Sequence, residues 1–358
     1  MSKKSEMAET NNFDALRLGA ALLVMASHSY PMTGAGSDPV TRIFPGISGG
    51  DMAVAAFFVI SGFLVTISAG RRSPFDFVRA RLIRILPALI AVTLFAVLIV
   101  GPIFTTLPLA SYATSRGTVA YLGNAYVFGL QFRLPGTFAG LPVQGSVNGS
   151  LWTLPLEVAM YAILMVLTAS GLRTRRGSLG VALLFVAAFA ISATYYGLGW
   201  NNRGPMLFSN VQVYPFLRYA IFFFIGAALS FWLKWIPLRW PAALGVAATW
   251  VVSAHFNLFY PIFFLALPYL VIYIAMALPA VDLRKIGDLS YGTYLFAFPI
   301  QQSVVQIFGK GIGPWGLMAT ATPIVLAVAF ISWRWLEKPA LGWKMKSLRR
   351  FQVAEAET

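Results

Sequence analysis

"DALRLGAALLVMASHSYP" (residues 14–31) is an apolar run that carries an Asp, an Arg and a His. Ionisable groups are rare in bilayer-spanning segments, and those present face a polar cavity or a partner. An α-helix turns about 100° per residue, so the eleven-residue step from Arg17 to His28 returns to within roughly 20° of its start. The two side chains share one stripe, about 16 Å apart along the axis at ~1.5 Å per residue. A helix of this kind belongs to a polytopic membrane protein with a polar cavity inside it.

The rest of the chain agrees. Of its 358 residues, 58% are apolar and 11% are charged, against about 25% charged in a soluble domain. Many spans of about 20 residues are expected instead. The formal charge of +15 would suggest nucleic acid in a soluble protein. In a polytopic one it reports topology and contact with anionic lipid headgroups, so membrane lipids are expected as partners and nucleic acid is not. The chain has no cysteine, which removes thiol nucleophiles, disulfides and Cys-ligated metal centres. With His28 and His255 the only histidines, no metal site is expected either. Lys3 and Lys4 before the first apolar run resemble a signal peptide's start, but the run is long and more follow, so an uncleaved first span is expected.

Apolar windows bounded by Gly, Pro and charge fall near 13–33, 47–69, 83–103, 151–171, 178–198, 214–233, 240–255, 258–279, 287–308 and 314–335. With the N-terminus inside, all but six of the 27 Lys and Arg fall on the cytoplasmic side, the six being Arg42, Arg116, Arg133, Arg203, Arg218 and Lys310. "TVAYLGNAYVFGL" (118–130) is apolar but short for a span. Residues 104–150 therefore read as one outer segment with an interfacial or re-entrant piece. The predicted fold is an all-α polytopic membrane protein of about ten transmembrane helices around a polar cavity, with both termini cytoplasmic. It comprises a short segment 1–12, a transmembrane domain 13–337 and a basic tail 338–358.

Depth links the buried polar groups. His28 lies about 22 Å into the first span, near the outer face of a ~30 Å core. Glu157, in "SLWTLPLEVAMY", lies about 9 Å below the same face, because its span runs the other way. A His and a carboxylate at one depth suit a general base and its orienting partner. The plainer alternatives are a helix-packing role for His28 and an ion pair between Glu157 and Arg218. Trp152 and Tyr161 read as interfacial and packing aromatics. In "FVRARLIRILPAL", Arg79 and Arg81 abut a span and Arg84 enters it. Such forks around an opening suit an anion, although Arg79 also fits ordinary positive-inside charge. "FFVISGFLV" puts Ser61 and Gly62 where helices would approach closely. Asp14, three residues before Arg17, is expected to pair with it.

These segments, in this order, resemble the acyltransferase-3 family of integral-membrane O-acyltransferases. "FDALRLGAALLVMASH" is similar to the family's Asp–Arg…His first helix, "FFVISGFLV" to its second-helix signature, and Arg81-Leu-Ile-Arg84 to its Arg-x-x-Arg. "SLWTLPLEVAMY" resembles its Trp…Glu…Tyr helix, "IGDLSYGTYLFAFPIQQ" its Ser-Tyr-x-x-Tyr-Leu helix, and "WRWLEKPAL" its closing Glu-x-Pro. Ala297 stands where many members carry a His.

The resemblance implies transfer of an acyl group, commonly acetyl, from cytoplasmic acyl-CoA to a hydroxyl of a carbohydrate or glycolipid at the outer face of a bacterial inner membrane. Acyl-CoA would be a co-substrate, with no resident cofactor. It implies His28 and Glu157 as catalytic residues and Arg17, Arg81 and Arg84 at the acyl-CoA. Asp14, Arg79, Trp152, Tyr161, Arg218, Ser290 and Tyr291 would support them. The alternative from another class is a transporter or flippase of a lipid-linked sugar.

Overall fold

Each of the ten apolar windows becomes a helix. They are α1 (Phe13–Met32), α2 (Gly49–Ala69), α3 (Pro74–Phe95), α4 (Thr153–Ala169), α5 (Arg175–Tyr196), α6 (Val213–Trp232), α7 (Trp240–Ser253), α8 (Phe259–Ala277), α9 (Ser290–Phe308) and α10 (Gly313–Ser332). The structure is a computed structural model, and it describes residues 11–196, 204–256, 259–283 and 285–342. Most of the predicted N-terminal segment and basic tail, and Arg203, lie outside the described residues.

Among the described residues, seven helices are long and apolar enough to cross a membrane: α2, α3 with its continuation to Phe104, α4 with the turn before it, α5, α6, α8 and α10. The other three account for the difference from ten. Polar residues dilute α1 and α9, and α7 has only 14 residues.

α2 lies at the centre, packed on α1 and α6, while α9 packs on both α1 and α10. The crossing of α2 and α6 is close because two glycines make it so. A Cβ on Gly62 would collide with the Phe223 carbonyl, and one on Gly226 with the Val59 carbonyl. In a membrane, where apolar burial gives helices little reason to prefer each other over lipid, such backbone approach supplies the packing. Asn12 fixes the start of α1 to the end of α8. Its amide donates to the carbonyls of Ile274, Leu278 and Pro279 at 3.2, 3.2 and 3.1 Å, and its Oδ1 accepts from the Val281 N–H at 2.7 Å.

Between Thr105 and Asn148 no helix exceeds six residues. The stretch 118–130 holds the end of a short helix (Arg116–Tyr121), a 3₁₀ turn (Leu122–Tyr126) and a loop, and is no crossing helix. Asn124 closes that loop by exchanging two 2.9 Å hydrogen bonds with the Gln131 backbone. A two-stranded hairpin (Met206–Phe208 with Val211–Gln212) is tied to it, since the Asn210 amide donates to the Leu130 carbonyl at 3.0 Å. α10 continues into a π-helical turn, Trp333–Glu337, of the kind that recurs at functional sites. The end of the bundle where α1 starts is called proximal below, and the opposite end distal.

Candidate active site

Two cavities enter the bundle from its two ends. The proximal one, about 110 Å³, is lined by Arg17 of α1, Ser61 of α2, Arg81 and Arg84 of α3, Glu157 and Tyr161 of α4, and Ser290, Tyr291 and Tyr294 of α9. The distal one, about 780 Å³, is lined by His28, Asp51, Arg133, Trp152, Arg218 and Tyr219 among others. Val54 and Tyr294 line both.

At the proximal mouth the charges are already interlocked. Arg84 lies 2.7 Å from Asp288 and 2.9 Å from Glu337, and its guanidinium stacks 5.2 Å from the centre of the Tyr291 ring. Arg17 pairs with Asp14, as expected, and also reaches Asp288 at 3.4 Å. Ser290 donates its hydroxyl to Asp288, and the Tyr291 phenol donates to the Ile85 carbonyl at 3.1 Å. The sequence reading makes Arg84 a fork for an incoming anion. The structure gives both its arms to carboxylates, because α9 begins and α10 ends beside it. Arg81 differs. It has no ion pair among the described residues, its Nε is buried without a hydrogen-bond partner, and its guanidinium stands 5.7 Å from the Tyr161 ring centre. Arg79 is half-buried on α3 and does not line the cavity.

Glu157 and His28 do not meet. Glu157 accepts from the Ser61 hydroxyl at 3.2 Å and from the Tyr161 phenol, inside the proximal cavity. Tyr161 is therefore part of the polar site rather than packing. Ser61 turns to the carboxylate while its neighbour Gly62 makes the close helix contact. Arg218 pairs with Asp51 at 3.8 Å, not with Glu157.

The carboxylates around His28 are Asp51 and Asp38, which line with it an adjoining cavity of about 590 Å³. Both are held by local geometry. Asp51 closes a capping box with Ser48 at the start of α2, its Oδ2 accepting from the Ser48 N–H at 3.0 Å and from the Ser48 hydroxyl at 2.7 Å. Its other oxygen accepts from the Tyr219 phenol at 3.2 Å. Asp38 is buried and accepts from the Ser27 hydroxyl and from the backbone N–H groups of Val40 and Gly49, both at 2.9 Å. The His28 ring meets Phe298 edge-on at 5.2 Å, and its Nδ1 is buried without a hydrogen-bond partner. Unpaired buried polar atoms are uncommon in native proteins. Trp152 lines the distal cavity, its ring 5.5 Å from that of Tyr219.

Sequence reasoning missed Asp38, Asp51, Asp288, Glu337 and Tyr294. Three of them carried a signal, since Asp288 stands two residues before Ser290 and Glu337 opens the Glu-x-Pro. Tyr294 is the second tyrosine of the Ser-Tyr-x-x-Tyr-Leu segment. Among the described residues, no group of three His, Cys, Asp or Glu could hold a metal ion.

The acyltransferase-3 family, described as an acyltransferase domain, matches residues 10–334. An O-acetyl transferase of Shigella phage Sf6 is 31% identical over 347 residues, covering 93% of this chain and 96% of the relative. Nodulation protein 10 of Rhizobium leguminosarum bv. viciae is 32% identical over 378 residues, covering 99% of each. No solved structure matches. A match of this extent sets aside the transporter or flippase reading. The chain belongs to the acyltransferase-3 family and is a multi-pass membrane acyltransferase.

Proposed function

We propose that this enzyme moves an acyl group, acetyl, from acyl-CoA at the proximal end to a hydroxyl of an exported carbohydrate or glycolipid in the distal cavity. Its setting in this reading is the bacterial inner membrane, with the proximal end cytoplasmic. The observation that carries the reading is the pair of cavities that share Val54 and Tyr294 as walls, one holding Arg81, which has no ion pair among the described residues, and the other lined by an imidazole.

Size divides the labour. Pockets that enclose a drug-sized ligand have about 300–1,000 Å³, so the 110 Å³ proximal cavity suits a slender thioester arm and leaves the nucleotide outside. Arg81, with Arg17 nearby, meets the donor phosphates there. Glu157, held by Ser61 and Tyr161, accepts from amide N–H groups of the arm. The 780 Å³ distal cavity has room for sugar rings, and Trp152 offers a ring face to stack on.

In the reaction His28 takes the proton of the acceptor hydroxyl as its oxygen attacks the thioester carbonyl. The tetrahedral intermediate collapses, the C–S bond breaks, and the leaving thiolate takes the proton back from the imidazolium. Asp51 and Asp38 stabilise that imidazolium while it lasts. The relative's name, O-acetyl transferase, supports acetyl as the group moved.

The test compares surface-polysaccharide O-acetyl content, by proton NMR, in a deletion strain complemented with wild type or with His28→Ala. Purified His28→Ala protein is expected at normal yield, with turnover of acetyl-CoA lowered about 10²-fold or more. Ordinary turnover by that variant removes His28 from the chemistry.

A further inference from the structure

Arg81 has a second arginine for a neighbour. Arg72 stands in the short turn between α2 and α3, two residues before α3 begins, and Arg81 lies about two helical turns along that helix. Neither makes an ion pair among the described residues, and the Nη1 of Arg72, like the Nε of Arg81, is buried without a hydrogen-bond partner. Asp76, in the first turn of α3, does not pair with Arg72. Its Oδ2 accepts from the Ser73 hydroxyl at 2.8 Å. Burial lowers the Arg72 pKa and the Arg81 charge lowers it further, with Asp76 opposing, so the two guanidiniums feel each other. Like charges held together with no carboxylate between them repel. A phosphate relieves that repulsion and gives each fork a bidentate partner. Arg173, which packs against Gly70 at the same end, is by contrast engaged by the Thr66 carbonyl at 3.4 Å and by the Phe231 ring.

Place in the fold says which phosphate. Arg81 lines the proximal cavity and Arg72 does not. In acyl-CoA the thioester arm leads to a diphosphate and then to a ribose, which carries a further phosphate of its own. With the arm in the cavity, the diphosphate arrives at Arg81 and the ribose phosphate lies farther out, on the side of the α2–α3 turn. We infer that Arg72 binds the ribose phosphate of the donor, so that this enzyme prefers free acyl-CoA to an acyl thioester lacking that phosphate. The inference rests on the donor reading above.

Membrane vesicles from cells producing the full chain are supplied with ¹⁴C-acetyl-CoA or with ¹⁴C-acetyl-3′-dephospho-CoA, which differs only in lacking the ribose phosphate. Label in the carbohydrate fraction is counted against donor concentration. Wild type is expected to show a KM about five- to tenfold lower for acetyl-CoA, the scale of a half-exposed charge-assisted contact. Arg72→Gln is expected to lose that difference, its KM for acetyl-CoA rising to the dephospho value while kcat and the dephospho KM stay in place. Arg72→Lys should restore part of the difference, since it keeps the charge and lacks the fork. Each comparison is made within one preparation, so protein level cancels. A KM difference that survives in Arg72→Gln, or one that wild type does not show, overturns the role of Arg72 and leaves the donor reading standing. Wild-type vesicles that take label from neither donor sink the donor reading, and this inference with it.

Discussion

Arg84 reaches toward the proximal cavity, yet each arm of its guanidinium is taken by a carboxylate. Asp288 and Glu337 hold it at 2.7 and 2.9 Å, and the Glu337 side chain is only 2% exposed. Removing one partner of such a group strands the other charges, so Arg84→Ala is expected to cost about 3 kcal/mol of stability. Adding Glu337→Gln to that variant recovers part of the loss, because the stranded charge is gone. Thermal unfolding in detergent, followed by tryptophan fluorescence, reads both. Arg81→Ala is expected to leave Tm in place and raise KM for acyl-CoA, with Lys restoring only part of the binding because a point charge lacks the fork. A normal Tm in Arg84→Ala together with a raised KM reverses these assignments. The Arg17–His28 stripe and the Asp14–Arg17 pair were legible in the sequence because a single helix fixes them. The placing of Glu157 beside His28 failed because depth counted from the ends of two apolar windows is not depth in the bundle: Glu157 bonds Ser61, ten residues further along α2 than the Asp51 that stands with His28. Glu157 points to Ser61 and Tyr161, and Asp51 and Asp38 stand with His28 instead.

Among elements, the α2–α6 crossing has the least tolerance. Gly62→Ala puts a methyl where the Phe223 carbonyl stands, so the helices must part, at about 1–3 kcal/mol or more. Gly180 on α5 provides the contrast, since a Cβ there meets nothing within 4 Å. Gly180→Ala should be neutral or stabilising by up to ~1 kcal/mol. Equal unfolding temperatures for the two variants would contradict the close crossing. The close approach was readable from "FFVISGFLV", since a small residue in an apolar run has few other uses. The π turn at Trp333–Glu337 was not, because inserting one residue into a helical turn leaves no mark on composition. Likewise, apolarity located the stretch 118–130, but length alone separated it from a span.

At the scale of the whole molecule, ten windows were legible because apolar length is a direct imprint of bilayer thickness. That signal weakens where the chain serves chemistry, as in α1 and α9, whose polar residues line the cavities. Topology can be tested cleanly in a chain with no native cysteine. Ser111→Cys and Leu172→Cys, both at exposed positions, are expected to react oppositely with a membrane-impermeant maleimide. Ser111→Cys should label in intact cells, and Leu172→Cys only after lysis. Labelling of both in intact cells would break the ten-span arrangement. The carboxylates that hold Arg84 also have a place in time. Asp288 follows it by 204 residues and Glu337 by 253. At a synthesis rate of about 5–20 residues per second, the arginine emerges roughly 10–40 seconds before its first partner exists. Through that interval its charge must stay with water and headgroups, so the third helix enters the membrane early and seats late, after α9 and α10 have been made.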